Sequence, residues 1–305
     1  MDHKKEITIL GAGPAGMSAA IYLKRAGLQP VLLEAHEPGG LLRHASCVEN
    51  YPGFPQGIPG GELAGLFEKQ LHRLEIGIDK STVNRVDHKN SSFIIKTDTD
   101  RFVSSAIIVA TGTKPRTIRI RGSLALEGTR LFYDPFSIPL ETHKEKKRIL
   151  VIGGGDIAFD YTVTLLQWRH EVTIITRSEP TCLPLLYNRV IHNTSTILTN
   201  CVPVEIRKNC KDLLLLCRQD KKLKEIPADF LVIACGREPN IACLSPALKK
   251  YHEKISEIPK TPLPGLYFAG DVVRGIYRQV GIAVGDGMCA AMMVEQYLKN
   301  RMVIS

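Results

Sequence analysis

Short apolar runs alternate along the chain with longer segments of helical periodicity, and this alternation predicts strands and helices in turn. The first predicted strand is Ile7–Leu10, and a helical pattern follows it through Ala26, where Gly27 ends it. Pro30–Leu33 then repeats the short apolar pattern and leads into Glu34. A strand–helix–strand order of this kind is typical of a parallel sheet, so we expect an α/β fold.

A second block of the same kind lies in the middle of the chain. Its predicted strands are Arg148–Ile152 and Glu171–Thr176, with an apolar helical pattern between them. Each block is followed later by a similar apolar run that ends in small residues, "IIVATG" and "LVIACG". This repetition predicts two related domains, with residues 117–241 inserted into a domain made of residues 1–113 and 245–305.

The remaining pattern predicts a long loop and several short elements. A Gly/Pro-rich loop follows Glu34, and a loop of this length in a compact domain usually has a function. An amphipathic helix is predicted over Glu62–Glu75, and "GLYFAGDV" predicts a strand that ends at Asp271, before a last helix. Further short strands are predicted at Val83–Asp87, Phe93–Thr97, Arg101–Val103, the run ending at Thr111–Gly112, Val202–Arg207, Leu213–Arg218 and "DFLVIACG".

The first block contains a glycine fingerprint, G-x-G-x-x-G, at Gly11, Gly13 and Gly16. It opens a helix directly after a strand, and Glu34 ends the next strand, as in a dinucleotide-binding βαβ unit. In such a unit the first glycine makes a tight turn, the second admits a pyrophosphate, and the third lets the helix pack on the strand. The helix N-terminus then holds the anion, and Glu34 accepts the ribose hydroxyls.

The second block has the same fingerprint with a different ending. Gly153 and Gly155 are followed by Ala158 at the third position, which tolerates alanine. The next strand ends in Arg177 and Ser178 where the first block has an acid. An arginine there can bind a 2′-phosphate, which favours NADPH, or it can be a solvated strand-end side chain. The choice between NADH and NADPH therefore stays open.

Several motifs together resemble the low-molecular-weight thioredoxin reductases nearly end to end: "GAGPAG", "PGGLL", "VENYPGFP", "IIVATGTKPR", "VIGGGDIA", "GLYFAGDV" and "IYRQVGIAVGDG". The resemblance implies two Rossmann-like domains, FAD in the split domain, NAD(P)H in the inserted one, and a homodimer. The flavin contacts that it implies are Gly11, Gly13, Pro14, Ala15, Gly16, Glu34, Gly39, Gly40, Leu41, Leu42, Asn50, Gly112, Gly270, Asp271, Arg278, Gln279 and Val280. The implied contacts of the nicotinamide cofactor are Gly153, Gly155, Asp156, Ala158 and Arg177.

The chain departs from this family where the redox C-x-x-C belongs, between about Gly128 and Arg148, because that stretch has no cysteine. Dithiol relay to thioredoxin is therefore unavailable in its usual form. Cys47, in the loop after the Gly39–Gly40 pair, is a candidate replacement, since His44 nearby can lower a thiol pKa; an unreactive loop cysteine is the alternative. Within the silent stretch, Phe132, Tyr133 and Phe136 are expected either to pack between domains or to cover the flavin.

Direct transfer from flavin to an external acceptor is the other route. Ferredoxin–NADP reductases of the thioredoxin-reductase type also lack the C-x-x-C. Of the net charge of +9, residues 114–243 carry 20 basic and 14 acidic side chains, an excess of six that would suit an acidic electron carrier such as ferredoxin. The alternative hypothesis from a different functional class is a flavoprotein that senses a nucleotide and turns over little.

The cysteine spacing, the charge pattern and the hydropathy of the chain argue against a metal site, a nucleic-acid partner and a membrane span. The eight cysteines form no C-x-x-C and pair with no histidine at zinc spacing, so no metal site is expected. No basic stretch is studded with aromatic side chains, so we expect no nucleic-acid partner. The chain starts without the apolar region of a signal peptide and has no apolar run that would span a bilayer. We expect a cytoplasmic enzyme without a membrane partner.

Overall fold

The computed structural model describes residues 2–139, 145–193, 195–208, 212–220, 222–255 and 257–304. It divides into two compact units. Unit 1 consists of Met1–Lys114 and Glu238–Ser305, and unit 2 of Pro115–Arg237.

The elements follow one another in strand–helix alternation with added antiparallel strands. In chain order they are β1 (Asp2–Leu10), α1 (Pro14–Arg25), β2 (Val31–Glu34), α2 (Gly60–Arg73), β3 (Ile78–Lys80), β4 (Val83–Lys89), β5 (Ser92–Thr97), β6 (Arg101–Val109), β7 (Thr113–Pro115), β8 (Leu131–Phe132), β9 (Arg148–Ile152), α3 (Asp156–Gln167), β10 (Glu171–Ile175), α4 (Pro184–Ile191), β11 (Thr196–Leu198), β12 (Cys201–Lys208), β13 (Leu213–Gln219), β14 (Lys222–Ala228), β15 (Phe230–Ile233), β16 (Arg237–Pro239), α5 (Pro246–Glu253), β17 (Leu266–Phe268) and α6 (Val280–Ile304).

Unit 1 is built on a sheet of order β3-β2-β1-β6-β5-β4, with β17 paired to β6. Strands β3, β2, β1, β6 and β17 run parallel, whereas β5 and β4 add an antiparallel edge. Helices α1 and α6 bury their apolar side chains together with β1 in one core. Because the parallel strands end at one edge, the loops after β1, β2, β6 and β17 share that edge.

Unit 2 contains a parallel sheet of order β11-β10-β9-β15-β8 and a separate antiparallel sheet, β12-β13-β14. Helix α3 connects β9 to β10 as the second fingerprint predicts. These observations agree with the predicted α/β class.

Three predicted strands are wrong in their bounds. The runs around Arg101–Val103 and "AIIVATG" are one strand, β6. Its first half pairs with β5 near the edge and alternates in burial, whereas its second half lies between β1 and β17 and is buried throughout. The strand predicted to end at Asp271 stops at Phe268, and Gly270–Val272 forms a 3₁₀ turn.

Candidate functional site

The first fingerprint loop leaves space at one glycine and none at its neighbours. A Cβ at Gly11 would lie 2.5 Å from Ala110 O, and one at Gly16 would lie 1.8 Å from Gly11 O. At Gly13 a Cβ would meet nothing within 4 Å, and φ of −75° suits any residue. Packing within the protein thus explains Gly11 and Gly16 but not Gly13. A ligand that approaches the backbone at the start of α1 accounts for Gly13, so the residues fit a dinucleotide.

Glu34 ends β2 beside this loop. Its Oε2 accepts a hydrogen bond of 2.7 Å from Ala12 N, and its Oε1 accepts one of 3.0 Å from His36 N. Each carboxylate oxygen has two lone pairs, so both can still accept a ribose hydroxyl. The backbone contacts fix the carboxylate at the edge where the fingerprint lies.

The loop after β2 returns to the fingerprint. Gly39 N donates to Ala12 O at 2.8 Å, and Gly40–His44 forms a 3₁₀ helix whose Leu42 packs in one cluster with Val280. Leu41 lies half-buried on the same short helix. This loop therefore joins the start of α1 to the start of α6.

The remaining predicted flavin residues lie on loops at the same end of the unit 1 strands. A Cβ at Gly270 would lie 2.9 Å from Ala15 Cβ, so the turn that carries Asp271 packs on the first turn of α1. Gly112 follows β6 and accepts a 3.0 Å hydrogen bond from Asn240 N. Arg278, half-buried, leads into Gln279 and α6. The structure thus places the Gly270 turn against the first turn of α1, which begins at Pro14, and places Gly112 and Arg278 on loops of the same unit.

Cys47 lies in the loop before α2 and is partly buried. A Cβ at Gly57 would lie 2.6 Å from its Sγ, so the thiol packs against the Gly57 backbone. His44 ends the preceding 3₁₀ helix. The catalytic role of these two residues stays a prediction.

The fingerprint of unit 2 repeats the pattern of unit 1. A Cβ at Gly153 would lie 2.3 Å from Ala234 O and 3.1 Å from Ala158 Cβ, so the turn is tight and packs closely against the alanine at the third position. A Cβ at Gly155 would meet nothing within 4 Å. As at Gly13, the free space is on the side where the helix starts.

A segment after β10 closes over this second fingerprint. Thr181 N donates to Gly154 O at 2.8 Å, and Leu183 N donates to Asp156 Oδ1 at 2.8 Å. Arg177 and Ser178 are exposed just before it. One oxygen of Asp156 is thus used within the protein, which sequence reasoning did not foresee.

The stretch from Gly128 to Pro139 is anchored by contacts within unit 2, and Leu140 lies outside the described residues. Asp134 caps the turn Pro135–Ser137, accepting from Ser137 N at 2.8 Å and from Ser137 Oγ at 2.7 Å. Phe132 is buried in the unit 2 core, and Phe136 meets Trp168 edge-on at 5.3 Å.

Tyr133 Oη of this stretch donates to Glu127 at 2.8 Å, which completes its anchoring. Phe132 is buried in the unit 2 core, so for this residue the expectation of packing between domains or covering the flavin is wrong. For Tyr133 and Phe136 it stays a prediction.

Two cysteines that are distant in sequence meet in unit 2. Cys201 and Cys217 are both fully buried, and their thiols are in hydrogen-bonding contact. Burial, followed by the Cys201 hydrogen bond, raises the pKa of the Cys217 thiol far above its usual value. A thiol held in this way is a poor nucleophile. Cys210 lies outside the described residues.

Sequence reasoning missed the residues that hold the Gly270–Val272 turn. Asp286 accepts a hydrogen bond from Gly270 N and pairs with Arg274, and His252 contacts Val272 O. The one signal in the sequence is an acid inside the otherwise small and apolar run "GIAVGDGMCAAMM".

No helix among the described residues is long and apolar enough to cross a bilayer.

Comparison with known proteins gives a consistent result. The family model "Pyridine nucleotide-disulphide oxidoreductase" matches residues 5–287. Thioredoxin reductase 2 of Arabidopsis thaliana is 31% identical over 98% of this chain and 83% of its own length. Thioredoxin reductase of Chlamydia trachomatis serovar D is 30% identical over 98% of this chain and all of its own.

Solved structures agree. The crystal structure of Lactococcus lactis thioredoxin reductase in its FR conformation superposes with a TM-score of 0.88 at 27% identity, covering 97% of this chain and 99% of that one. The thioredoxin reductase of T. acidophilum gives a TM-score of 0.84 at 28% identity, covering 98% and 99%. The predicted resemblance and the predicted pair of Rossmann-like domains are confirmed. This chain belongs to the pyridine nucleotide-disulphide oxidoreductase family, as a thioredoxin-reductase-like flavoenzyme whose cofactors are FAD and a nicotinamide dinucleotide.

Proposed function

We propose that this chain is an FAD-dependent NAD(P)H oxidoreductase that passes electrons from its flavin to an external acceptor without a dithiol of its own. The observation that carries this proposal is the Asp134–Ser137 turn. It lies in the stretch where the resemblance places a C-x-x-C, and its first and fourth side chains are a carboxylate and a hydroxyl. Neither can form a disulfide, so this turn cannot store electrons.

Unit 1 is proposed to hold FAD. Bound FAD accepts a hydride and releases electrons to the next carrier. The N–H groups at the start of α1 would face the pyrophosphate, with Gly13 giving the close approach. Glu34 would accept the ribose hydroxyls, and Asp271 would bind the ribityl or phosphate region. Arg278, Gln279 and Val280 would lie against the isoalloxazine ring, with Gly39–Leu42, Asn50 and Gly112 completing the site.

Unit 2 is proposed to hold NAD(P)H at the second fingerprint. Gly155 would admit the pyrophosphate, Gly153 and Ala158 would keep the turn close to the sheet, and Asp156 would fix the loop at Leu183. Arg177 is the cation placed to meet a 2′-phosphate, and Ser178 follows it without adding a second charge. The protein contributes by binding and orienting the two cofactors, and hydride transfer of this kind demands no side-chain acid or base.

An anaerobic titration tests the proposal. We expect the purified protein to carry FAD and to lose its flavin absorbance near 450 nm when NADH or NADPH is added. The Asp134→Ala variant should behave as the wild type, because the turn has no redox role in this scheme. If NADH, NADPH and reduced ferredoxin all fail to bleach the flavin, the enzyme hypothesis is wrong. A nucleotide-sensing flavoprotein is then the remaining hypothesis.

An acidic carrier protein is the second candidate for the acceptor, favoured by the charge of unit 2. Residues 115–237 contain 19 basic and 13 acidic side chains, an excess of six. Attraction between opposite surfaces raises association rates and weakens as salt is added. Rates with a ferredoxin or flavodoxin should therefore fall steeply with ionic strength, whereas rates with a neutral quinone should not.

The homodimer is proposed from the resemblance and is tested by light scattering.

A further inference from the structure

A buried carboxylate holds the turn between β17 and α6. Asp286 is only 5% exposed. Its Oδ2 accepts hydrogen bonds from Gly270 N at 3.2 Å and from Arg274 Nε at 2.8 Å, and its Oδ1 accepts from Arg274 Nη2. The contact with Arg274 is bidentate, which fixes orientation as well as charge. Both ends of the Gly270–Arg274 segment are thus tied to one side chain of α6.

The same side chain is fixed against the first fingerprint. Gly287 directly follows Asp286, and a Cβ there would lie 2.0 Å from Ala15 O. A Cβ at Gly270 would lie 2.9 Å from Ala15 Cβ. Helix α6, the Gly270–Val272 turn and the first turn of α1 therefore meet around Ala15 at backbone contact distance. A shift of the turn would be felt at the N-terminus of α1.

The middle of the turn is held from the other side. His252, on α5, donates from Nε2 to Val272 O at 2.7 Å, and its ring packs edge-on against Phe268 at 5.3 Å. Asp271 lies between these two anchors. The turn is consequently fixed at Gly270 and Arg274 by Asp286, and at Val272 by His252.

We propose that Asp286 and Arg274 act as a pair of positioning residues for FAD, holding Asp271 and the Gly270–Val272 turn against the N-terminus of α1. This inference rests on the proposed binding of FAD in unit 1. The two residues do not touch the cofactor in this scheme. They fix the backbone that does, and Arg274 neutralises a carboxylate that would otherwise sit uncompensated beside the site for the cofactor's pyrophosphate.

The opposite charges of Asp286 and Arg274 predict how single and double variants compare. Loss of Arg274 leaves the Asp286 carboxylate buried without its cation, and loss of Asp286 frees both Arg274 and the Gly270 N–H. Either change disorders the same turn, so the two effects will not add. Glu295 provides a matched control on the same helix, because it accepts a hydrogen bond of 2.9 Å from Tyr22 of α1 and so links the same two helices away from the turn.

The experiment uses the full-length holoprotein. FAD is removed and the dissociation constant is measured by quenching of FAD fluorescence, with visible circular dichroism of the bound flavin as a second readout. We expect Asp286→Asn and Arg274→Ala each to weaken FAD binding about tenfold and to alter the flavin dichroism, with the double variant no weaker than either single one. Arg274→Lys should recover part of the affinity, and Glu295→Gln should match the wild type.

Three outcomes would overturn the proposal. In the first, both single variants bind FAD within about twofold of the wild type. In the second, Glu295→Gln loses as much affinity as Asp286→Asn, which would reduce the effect to general loosening of α1 against α6. In the third, the wild-type apoprotein binds no FAD, which overturns the proposed function as well. Thermal midpoints of the apoproteins, measured in parallel, separate a folding defect from a binding defect.

Discussion

Asn50 and Gln279 are joined by a hydrogen bond of 2.8 Å from Asn50 Nδ2 to Gln279 Oε1. The two residues are 229 positions apart, and both are exposed. Asn50 lies in the loop between the Gly40–His44 helix and α2, and Gln279 directly precedes α6. The bond therefore ties together two loops that we propose to line the flavin, and it does so without a buried contact.

Replacing Gln279 with Ala should alter the flavin more than the fold. An exposed neutral hydrogen bond contributes about 1 kcal/mol or less, so the thermal midpoint of the apoprotein should hardly move. FAD affinity should fall a few-fold, because the side chain is lost from the proposed ring contact and the Asn50 loop is released. Asn50→Ala breaks the same hydrogen bond while Gln279 stays in place. Unchanged FAD affinity and flavin spectrum in both variants would show that the two loops do not line the ring.

The two glycines Gly13 and Gly16 should separate binding from folding. Gly16→Ala places a Cβ at 1.8 Å from a backbone oxygen, so unit 1 should lose about 3 kcal/mol or more of stability. Gly13→Ala meets no protein atom, so the apoprotein should keep its stability within about 1 kcal/mol while FAD affinity collapses. Thermal melts of the apoproteins and FAD titration measure the two effects. A Gly13→Ala variant that binds FAD normally would remove the proposed pyrophosphate site.

The fingerprints were predictable from sequence because a strand, a tight turn and a helix start are local features. The positions of Gly11, Gly13 and Gly16 follow from spacing alone, and the structure adds the reason for each. Contacts such as Asn50–Gln279 and Arg274–Asp286 were not predictable, since they depend on how distant loops meet. The missed helix α5 illustrates a different limit: Ser245 and Pro246 are a helix start signal, but only Leu248 is buried among its residues, so periodicity was too weak.

Tyr161→Phe should stabilise unit 2. Tyr161 is 2% exposed, and within the described part of the chain its hydroxyl has no hydrogen-bond partner. Burial raises the pKa of this phenol well above its usual value, so it is neutral at pH 7. Removing an unsatisfied buried hydroxyl gains about 1 kcal/mol, or roughly 2 °C in the thermal midpoint of a protein of this size. Tyr267→Phe is the control. Tyr267 Oη donates a hydrogen bond to Met293 O at 3.3 Å, so this variant should be less stable than the wild type.

Asp229 should contribute to acid sensitivity. Burial alone would raise its pKa, but hydrogen bonds from the Arg148 side chain and backbone N–H outweigh burial and lower the pKa below the usual value for aspartate. A lowered folded-state pKa means that the contribution is fully present above about pH 4 and is lost as the pH falls through the lower value.

The Asp229→Asn variant should therefore be less stable than the wild type at pH 7, by about 1 kcal/mol after allowance for partial exposure of Arg148, and the difference should shrink below pH 4. Urea unfolding at pH 7 and at pH 3 measures it. A gap that is equally large at both values would exclude the charged interaction as its source. Glu145→Gln, which removes an exposed pair with Lys147, is the matched surface control.

Replacing Cys47 with Ser tests whether this thiol takes part in electron transfer. Its Sγ lies against the Gly57 backbone, where serine fits with little change in volume, so Cys47→Ser should fold and bind FAD as the wild type does. If electrons leave the flavin directly, turnover with quinones, ferredoxin and a small disulfide should all be unchanged. If the Cys47 thiol instead acts through a mixed disulfide, Cys47→Ser should lose only the activity with the small disulfide, and NAD(P)H should still reduce the flavin. Stopped-flow reduction followed by single-acceptor turnover separates the two routes, and Cys289→Ser, which changes another thiol of unit 1 on an exposed position of α6, controls for general thiol loss.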